Sequence, residues 1–399
     1  MYDAEKHTPK SELQNRIDRL QAQLGEKGMD GALILQNADA FYFAGTIQQG
    51  QLYVPAQGPP LLMIRKSLDR ARAESALDRI VPMKSPRQLP ELLAAHDMPV
   101  PKTLGMELDV LPANLYLNFG KILDGTRIAD ISHEIRLIRA VKSEYEIDRL
   151  RTAARFSDRL IEAAAGMIRE GMTELELAGL VEAEARKMGH QGVVRMRLWG
   201  SELFYGHLMA GPRAALPSFL ASPTGGLGAG PAVAQGASFA PIRKGEPILV
   251  DYTFCYEGYI SDCTRIFAVG GLPERLGKAY MAMLDVEGIV KRTARAGVSA
   301  GDVYAAAVER AGELGYGDRF MGAGLDRIRF VGHGVGLELD EYPFLAKGQE
   351  MVLKSGMTIA VEPKLILPGE GVVGIENTHV VRDDGLETLT RSPDRITVV

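Results

Sequence analysis

Ile248–Arg265 reads ILVDYTFCYEGYISDCTR, and this stretch decides what the C-terminal part of the chain is. An apolar run enters Asp251, Glu257-Gly258 suits a tight turn, and a second run leaves the turn through Asp262. Extended, β-prone runs on either side of a two-residue turn predict a hairpin. With its turn at the midpoint, the hairpin is expected to set Asp251 opposite Asp262. An ionised carboxylate ending a buried strand is costly unless it is paired or bound to a metal. Singly, each aspartate reads as a strand-end cap; as a facing pair, they suit a cation equally well. The same register would put Cys255 opposite Gly258 and Cys263 opposite Val250. The chain's two cysteines are therefore expected to be buried free thiols, with neither a bridge nor a shared metal between them. So few cysteines do not make a secreted disulfide framework, and a reducing cytoplasm is the expected location.

Three further stretches carry related chemistry. In Val331–Leu337 (VGHGVGL), His333 lies between glycines that let the backbone approach a ligand closely. In Ile359–Lys364 (IAVEPK) and Gly374–Thr378 (GIENT), Glu362 and Glu376 each follow an apolar run. Pro368-Gly369-Glu370-Gly371 supplies a turn between them, so a second hairpin is expected to bring these two carboxylates together. One at a time, these would pass for surface or strand-end residues. Together, Asp251, Asp262, His333, Glu362 and Glu376 form a hard-ligand set for two divalent cations, suited to Mn, Co, Zn or Fe(II) rather than a soft metal. Two such ions roughly 3.5–4 Å apart can activate a water and polarise the bond it attacks. This requires the five side chains to enclose one cation pocket rather than be consumed in ion pairs with arginine or lysine.

Upstream, Leu13, Ile17, Leu20 and Leu24 predict a helix over residues 11–27. Strands are expected at Gly31–Gln36, Leu61–Arg65, Arg79–Pro82 and Leu104–Leu108, with helices around 67–76, 86–95 and 112–122. That alternation indicates an α/β layer domain ending near residue 130, without a phosphate loop or catalytic cluster. A long helical tract follows over 134–170, with Ser143 and Glu146 placed as a capping box. Thr173 and Glu176 repeat the device ahead of a helix over Glu174–Met188. Helices are also expected at 274–295 and 301–314. The plan of two helices and then carboxylate-bearing strands recurs, which suggests an internal repeat. Residues 211–247, rich in Gly and Pro, read as a functional loop between the halves.

The chain's 399 residues exceed one ordinary domain. A 46% hydrophobic, 24% charged mix and a net charge of −5 leave no basic footprint for nucleic acid. The N-terminal MYDAEKHTPK shows no leader pattern, and no apolar run approaches a membrane span.

In order and context these motifs resemble the pita-bread metallopeptidases: prolidase, aminopeptidase P and methionine aminopeptidase. IRLIRAVKSEYEIDRLRTAA is similar to the segment joining the two domains in the prolidase and creatinase branch. KGEPILVDYTFCYEGYISDCTR, VGHGVGLELDEYP, MTIAVEPKL and GIENTHVV follow that branch's remaining motifs. The resemblance implies an α/β N-terminal domain of the creatinase N-terminal kind over 1–133, structural or dimerising. It implies an α+β pita-bread catalytic domain over 134–399 and a homodimer. It further implies that Asp251 and Asp262 chelate one metal, with Asp262 bridging. His333 and Glu362 would serve the second metal, and Glu376 would bridge both. A metal-bridging hydroxide would attack the carbonyl of a short peptide with proline second, while Glu362 shuttles the proton.

Two departures stand out. GHGVGLELDE carries Asp340 where the family usually has a histidine, and neither Leu216-Pro217-Ser218 nor Val233-Ala234-Gln235 supplies the family's Pro-His-Gly. An ionised Asp340 cannot donate to an oxyanion and would attract a cationic or hydroxylated group. His207 is the candidate replacement imidazole, with an ordinary surface histidine the equal alternative. Arg265 is a candidate anion contact or a plain strand-edge residue. A small, possibly cationic non-peptide substrate, or a non-catalytic relative, are the competing readings.

Overall fold

A computed structural model describes residues 7–399 of the chain. The first six residues of MYDAEKHTPK, read above for a leader, lie outside them. Two compact units divide at Arg139/Ala140.

The N-terminal unit is a six-stranded α/β layer. Its strands are β1 (Gly31–Ile34), β2 (Gly50–Pro55), β3 (Leu61–Ile64), β4 (Ile80–Pro82), β5 (Thr103–Met106) and β6 (Arg127–Asp130), in the order β4-β3-β2-β1-β5-β6. Only β1/β2 and β2/β3 are antiparallel. Leu33, Tyr53, Leu61, Met63 and Leu104 form its core with Leu93 and Phe119 from the helices. Two strands were not anticipated: β2 (GQLYVP) opens on Gly-Gln and ends in Pro55, which confines its apolar run to Leu52–Val54, and β6 (RIAD) is only half-buried. The unit ends beyond the expected 133, because the Ser132–Ala140 helix is bonded into it. Glu134 pairs with Lys27 at 2.7 Å, buried Arg139 pairs with buried Asp39 at 2.6 Å, and Ile138 O accepts from Arg19 at 2.6 Å. The helical tract expected over 134–170 breaks at Val141–Ser143, where Ser143 caps the Glu144–Met167 helix in a full capping box with Glu146.

The second unit contains the expected repeat, legible in its backbone hydrogen bonds. Gly171 N and Gly297 N donate to Ile242 O and Leu353 O, each at 2.9 Å. Ile242 N and Leu353 N donate back to Met172 O and Val298 O, each at 2.8 Å. Thr173 and Ser299 then cap the Glu174–Lys187 and Ala300–Glu313 helices by accepting from the amides of Glu176 and Asp302. In the same correspondence Ile242–Asp251 (IRKGEPILVD) matches Leu353–Glu362 (LKSGMTIAVE), so Asp251 and Glu362 occupy equivalent positions.

The first half supplies β7 (Gly206–Ala210), β8 (Ile248–Tyr256) and β9 (Tyr259–Ala268). The second supplies β10 (Phe330–Gly334), β11 (Glu341–Ala346), β12 (Thr358–Val361), β13 (Lys364–Leu367), β14 (Gly371–Gly374), β15 (Asn377–Val381) and β16 (Leu386–Thr388). A short β17 (Thr397–Val398) returns beside β9. The sheets run β17-β9-β8-β7 and β11-β10-β12-β15-β16, with β13-β14 as a separate ribbon.

The β8–β9 register differs from the expected one. Glu257 (φ 47°) and Gly258 (φ 91°) are both left-handed, as a type I′ turn requires, and Tyr256 pairs with Tyr259. Asp251 therefore faces Thr264, and Asp262 faces Thr253. The shift is two residues, so Asp251 and Asp262 keep the same face and meet diagonally. Cys255 and Cys263 face Ile260 and Tyr252 and are buried free thiols. The second hairpin pairs Val361 with Asn377 and Lys364 with Gly374. Its ladder is interrupted between these pairs, where Glu362 and Glu376 stand opposite one another. The halves are joined at Thr264 and Glu376, whose backbones exchange two hydrogen bonds of 3.3 Å. Among the described residues, no helix is long and apolar enough to cross a membrane.

The I′ turn generates a testable outcome. Gly258→Val forces a β-branched residue to a positive φ, at a cost of about 1–3 kcal/mol. The thermal midpoint is expected to fall; an unchanged midpoint would contradict this register.

Candidate metal centre

Asp251 on β8, Asp262 on β9, His333 on β10, Glu362 after β12 and Glu376 before β15 all line one cavity of about 220 Å³. His333 Nδ1 lies 3.2 Å from Gly334 O. A carbonyl can only accept, so Nδ1 carries the proton and the Nε2 lone pair faces the carboxylates. His333 Nε2 lies 3.6 Å from Glu362 Oε1 and 4.0 Å from both Asp262 Oδ2 and Glu376 Oε1. Ligand atoms of Asp262, His333 and Glu376 all fall within 4.8 Å of one another. Glu376 Oε1 is buried and has no hydrogen-bond partner. An orphaned carboxylate oxygen aimed at an imidazole lone pair is unstable without a cation between them. These atoms suit a divalent ion bound at about 2.0–2.2 Å.

The glycines beside His333 do not serve the role expected of them. A Cβ on Gly332 would come 2.3 Å from Ala360 O, and one on Gly334 would come 2.2 Å from Tyr342 O. They make room for the neighbouring strands rather than for a ligand.

Lys364, which the motif analysis left without a role, reaches into the same cluster. Its Nζ donates to Glu362 Oε2 at 2.7 Å, Asp251 Oδ2 at 2.9 Å and Glu376 Oε2 at 3.0 Å. Of the four carboxylates required above to enclose a cation pocket rather than be consumed in ion pairs, three thus pair with a lysine. The five residues nevertheless converge, because Glu362 and Glu376 each divide their oxygens: Oε1 towards His333, Oε2 towards Lys364. Thr264 Oγ1 also donates to Glu376 Oε2, at 2.7 Å.

Protonation follows from this geometry. Burial, reinforced by the Asp251 charge, pushes Asp262 up to about 7. Burial and then Asp262 push Glu376 well above the carboxylate range. Burial also opposes ionisation of Asp251, but the Lys364 charge outweighs it, and Asp251 titrates below its ordinary value. Burial favours a neutral Lys364 amine, yet Asp251, Glu362 and Glu376 outweigh it and keep the ammonium. The protein alone is short of positive charge here, as a cation site should be.

His207 sits on β7 directly opposite Asp251 and is buried in the cavity wall. Its Nδ1 lies 3.2 Å from Thr224 Oγ1 and its Nε2 3.1 Å from Gln235 Oε1. Burial lowers its pKa, so it is a neutral imidazole. Thr224 and Gln235 come from the Gly/Pro-rich 211–247 segment, which closes one side of the cavity; neither carries a sequence signal that marks it. Ser218 turns away, donating its Oγ to Ala234 O. Asp340 also lines the cavity, but Oδ1 and Oδ2 accept from the amides of Arg197 and Leu198, each at 2.8 Å. Arg265 does not reach the cavity. It is buried beneath Glu376, donating to Glu376 O at 2.9 Å, Asn377 Oδ1 at 2.8 Å and Ser392 O at 2.7 Å. Asn377 donates in turn to Glu287 Oε1 at 2.8 Å, and Lys291 pairs with the same oxygen at 2.9 Å. The remaining cavity wall is largely apolar, with Leu203, Leu220, Phe330, Leu339 and Phe344.

Comparison with known proteins matches residues 148–383 to the model of metallopeptidase family M24, and residues 16–141 to the creatinase/prolidase N-terminal domain. An Xaa-Pro dipeptidase of Pyrococcus furiosus is 29% identical over 95% of this chain and 99% of its own length. The solved Xaa-Pro dipeptidase of Bacillus anthracis superposes with a TM-score of 0.83 at 26% identity, covering 97% of this chain and 100% of its own. An X-Pro aminopeptidase of Thermotoga maritima gives 0.80 at 26%, over 96% and 99%.

The network under Glu376 has a pH signature. Burial opposes ionisation of Glu287, but His379, Lys291 and Asn377 outweigh it and hold its pKa at about 2. An unfolded glutamate titrates near about 4.3. The stability from this carboxylate is therefore present above about pH 4 and lost as pH falls towards 2. Glu287→Gln is expected to lower the thermal midpoint at pH 7, with the gap to the parent protein shrinking below about pH 4. A gap that stays constant over that range would show that Glu287 is not an ionised brace.

Proposed function

Because the chain belongs to metallopeptidase family M24, with the creatinase/prolidase N-terminal domain ahead of its catalytic domain, we propose that it is a divalent-metal-dependent dipeptidase for short peptides with proline second. One observation carries the proposal: Asp262, His333, Glu362 and Glu376 direct an oxygen or nitrogen to a common point in a largely apolar cavity. The names of the full-length relatives supply the substrate class.

The ion, drawn from Mn, Co, Zn or Fe(II), would be held by those four residues, and it supplies Lewis acidity and a water of lowered pKa. Glu362 is the general base, accepting a proton from the attacking water and returning it to the leaving nitrogen. Lys364 holds Glu362 Oε2 and so fixes the orientation of that carboxylate. Asp251 holds Lys364 from the opposite side. Neutral His207, held at both ring nitrogens by Thr224 and Gln235, adds an uncharged ring to the wall beside Asp251. Asp340 positions the Arg197–Leu198 segment of the wall, a role that suits a carboxylate satisfied by two amides better than direct contact with substrate. The apolar wall excludes water and accommodates a proline ring.

A cytoplasmic location fits the two buried free thiols. A homodimer formed through the N-terminal domain fits the prolidase likeness.

The test is a screen of Xaa-Pro dipeptides against small cationic amides, using chelated protein reloaded with each metal. Xaa-Pro cleavage is expected, abolished by chelation. Glu362→Gln should lower kcat about 10²–10⁴-fold. Silence on every Xaa-Pro dipeptide at full metal occupancy would overturn the assignment. Light scattering is expected to return twice the 43.3 kDa chain mass, and a monomer mass would sink the dimer.

A further inference from the structure

We propose that the ammonium of Lys364 permanently occupies the second cation position of this centre, so that the chain binds one divalent ion where two would otherwise fit. The inference rests on the metal-dependent reading above and concerns how many ions serve it.

The cluster has two cation positions, defined by the way its carboxylates divide. On one side are His333 Nε2, Asp262 Oδ2, Glu362 Oε1 and Glu376 Oε1, separated by 3.6–4.0 Å from the imidazole nitrogen. On the other are Asp251 Oδ2, Glu362 Oε2 and Glu376 Oε2, at 2.9, 2.7 and 3.0 Å from Lys364 Nζ. Glu362 and Glu376 bridge the two positions, one oxygen to each. An ammonium has three protons, and here each finds a carboxylate from a different segment. A divalent ion bound to those same oxygens would need the point where Nζ sits.

The lysine is built into this place. It opens β13 and is 1% exposed. Its ladder partner is Gly374, where a Cβ would lie 2.7 Å from Lys364 Cα and 2.8 Å from its Cγ. A side chain opposite would displace the lysine stem, so the glycine keeps the path into the cluster open. The interrupted ladder beside it lets Glu362 and Glu376 reach the same nitrogen.

Charge supports the same count. Four carboxylates meet one ammonium and one divalent ion with a single negative charge left over. A second divalent ion beside the ammonium would bring five positive charges against four. Lys364 does not line the cavity and would not touch substrate. It is a positioning residue that orients Glu362 and Glu376 as a second metal would.

The experiment is metal stoichiometry by elemental analysis after saturation with Mn(II), together with electron paramagnetic resonance of the bound Mn(II). One ion per chain with an isolated Mn(II) spectrum is expected for the unmodified protein. Lys364→Gly is expected to bind two ions per chain and show an exchange-coupled spectrum. Lys364→Met, which keeps the stem and removes the charge, checks that loss of the ammonium does not simply unfold the site, and should bind at least one ion. Two ions in the unmodified protein would overturn the lysine assignment while leaving the metallopeptidase reading intact. No ion in the unmodified protein would overturn both. One ion in a folded Lys364→Gly variant would show that the lysine is not what excludes the second.

Discussion

Four carboxylates closed into one apolar cavity constitute the constraint on which the catalytic unit depends. Unpaired ionised carboxylates cannot be buried together without positive charge among them. Lys364 supplies part of that charge from within the chain, and the orphaned Glu376 Oε1 marks where the rest must come from outside. The surrounding architecture keeps these groups from relaxing apart. Thr264 ties β9 to Glu376 through backbone and hydroxyl, Thr378 ties β15 to Asp262 through two hydrogen bonds, and Arg265 anchors the backbone from below.

The internal repeat explains how such a cluster is assembled. Each half is a helix pair followed by a strand whose apolar run leads into a carboxylate, Asp251 within β8 and Glu362 just after β12. Neither half could bury that carboxylate alone. Closing the halves over each other at Thr264 and Glu376 gives both carboxylates a shared partner in Lys364. Where the second half departs from the first, it adds Lys364 two residues past its strand-end carboxylate. That one position makes the centre asymmetric.

The cavity wall completes the environment. Apolar side chains lower the local polarity, which strengthens every interaction between the cluster and a bound cation. The Gly/Pro-rich 211–247 segment contributes Thr224 and Gln235, which hold His207 from both ring nitrogens. Asp340 holds the facing Arg197–Leu198 segment by its amides. The wall contacts beside the cluster are thus built on one imidazole, one amide and one loop-anchoring carboxylate.

The sequence by itself determined the two-unit plan, the capping boxes at Ser143 and Thr173, the repeat, and the five residues that converge on the cavity. Those features are local: side-chain alternation, turn composition and cap spacing act over a few residues and leave their mark in order along the chain. The tertiary structure decided the rest. A I′ turn with two left-handed residues moved the β8–β9 register by two, so Asp251 meets Asp262 diagonally. The ion pairs of Glu134 and Arg139 carried the unit boundary past residue 133. Gln235, Thr224 and Arg265 took their places through contacts that no spacing in the sequence encodes. Lys364 is the clearest case. In IAVEPKL it is one lysine after a proline, and only the pairing of its strand with Gly374 and the approach of three distant carboxylates turn it into the cation at the centre of the fold.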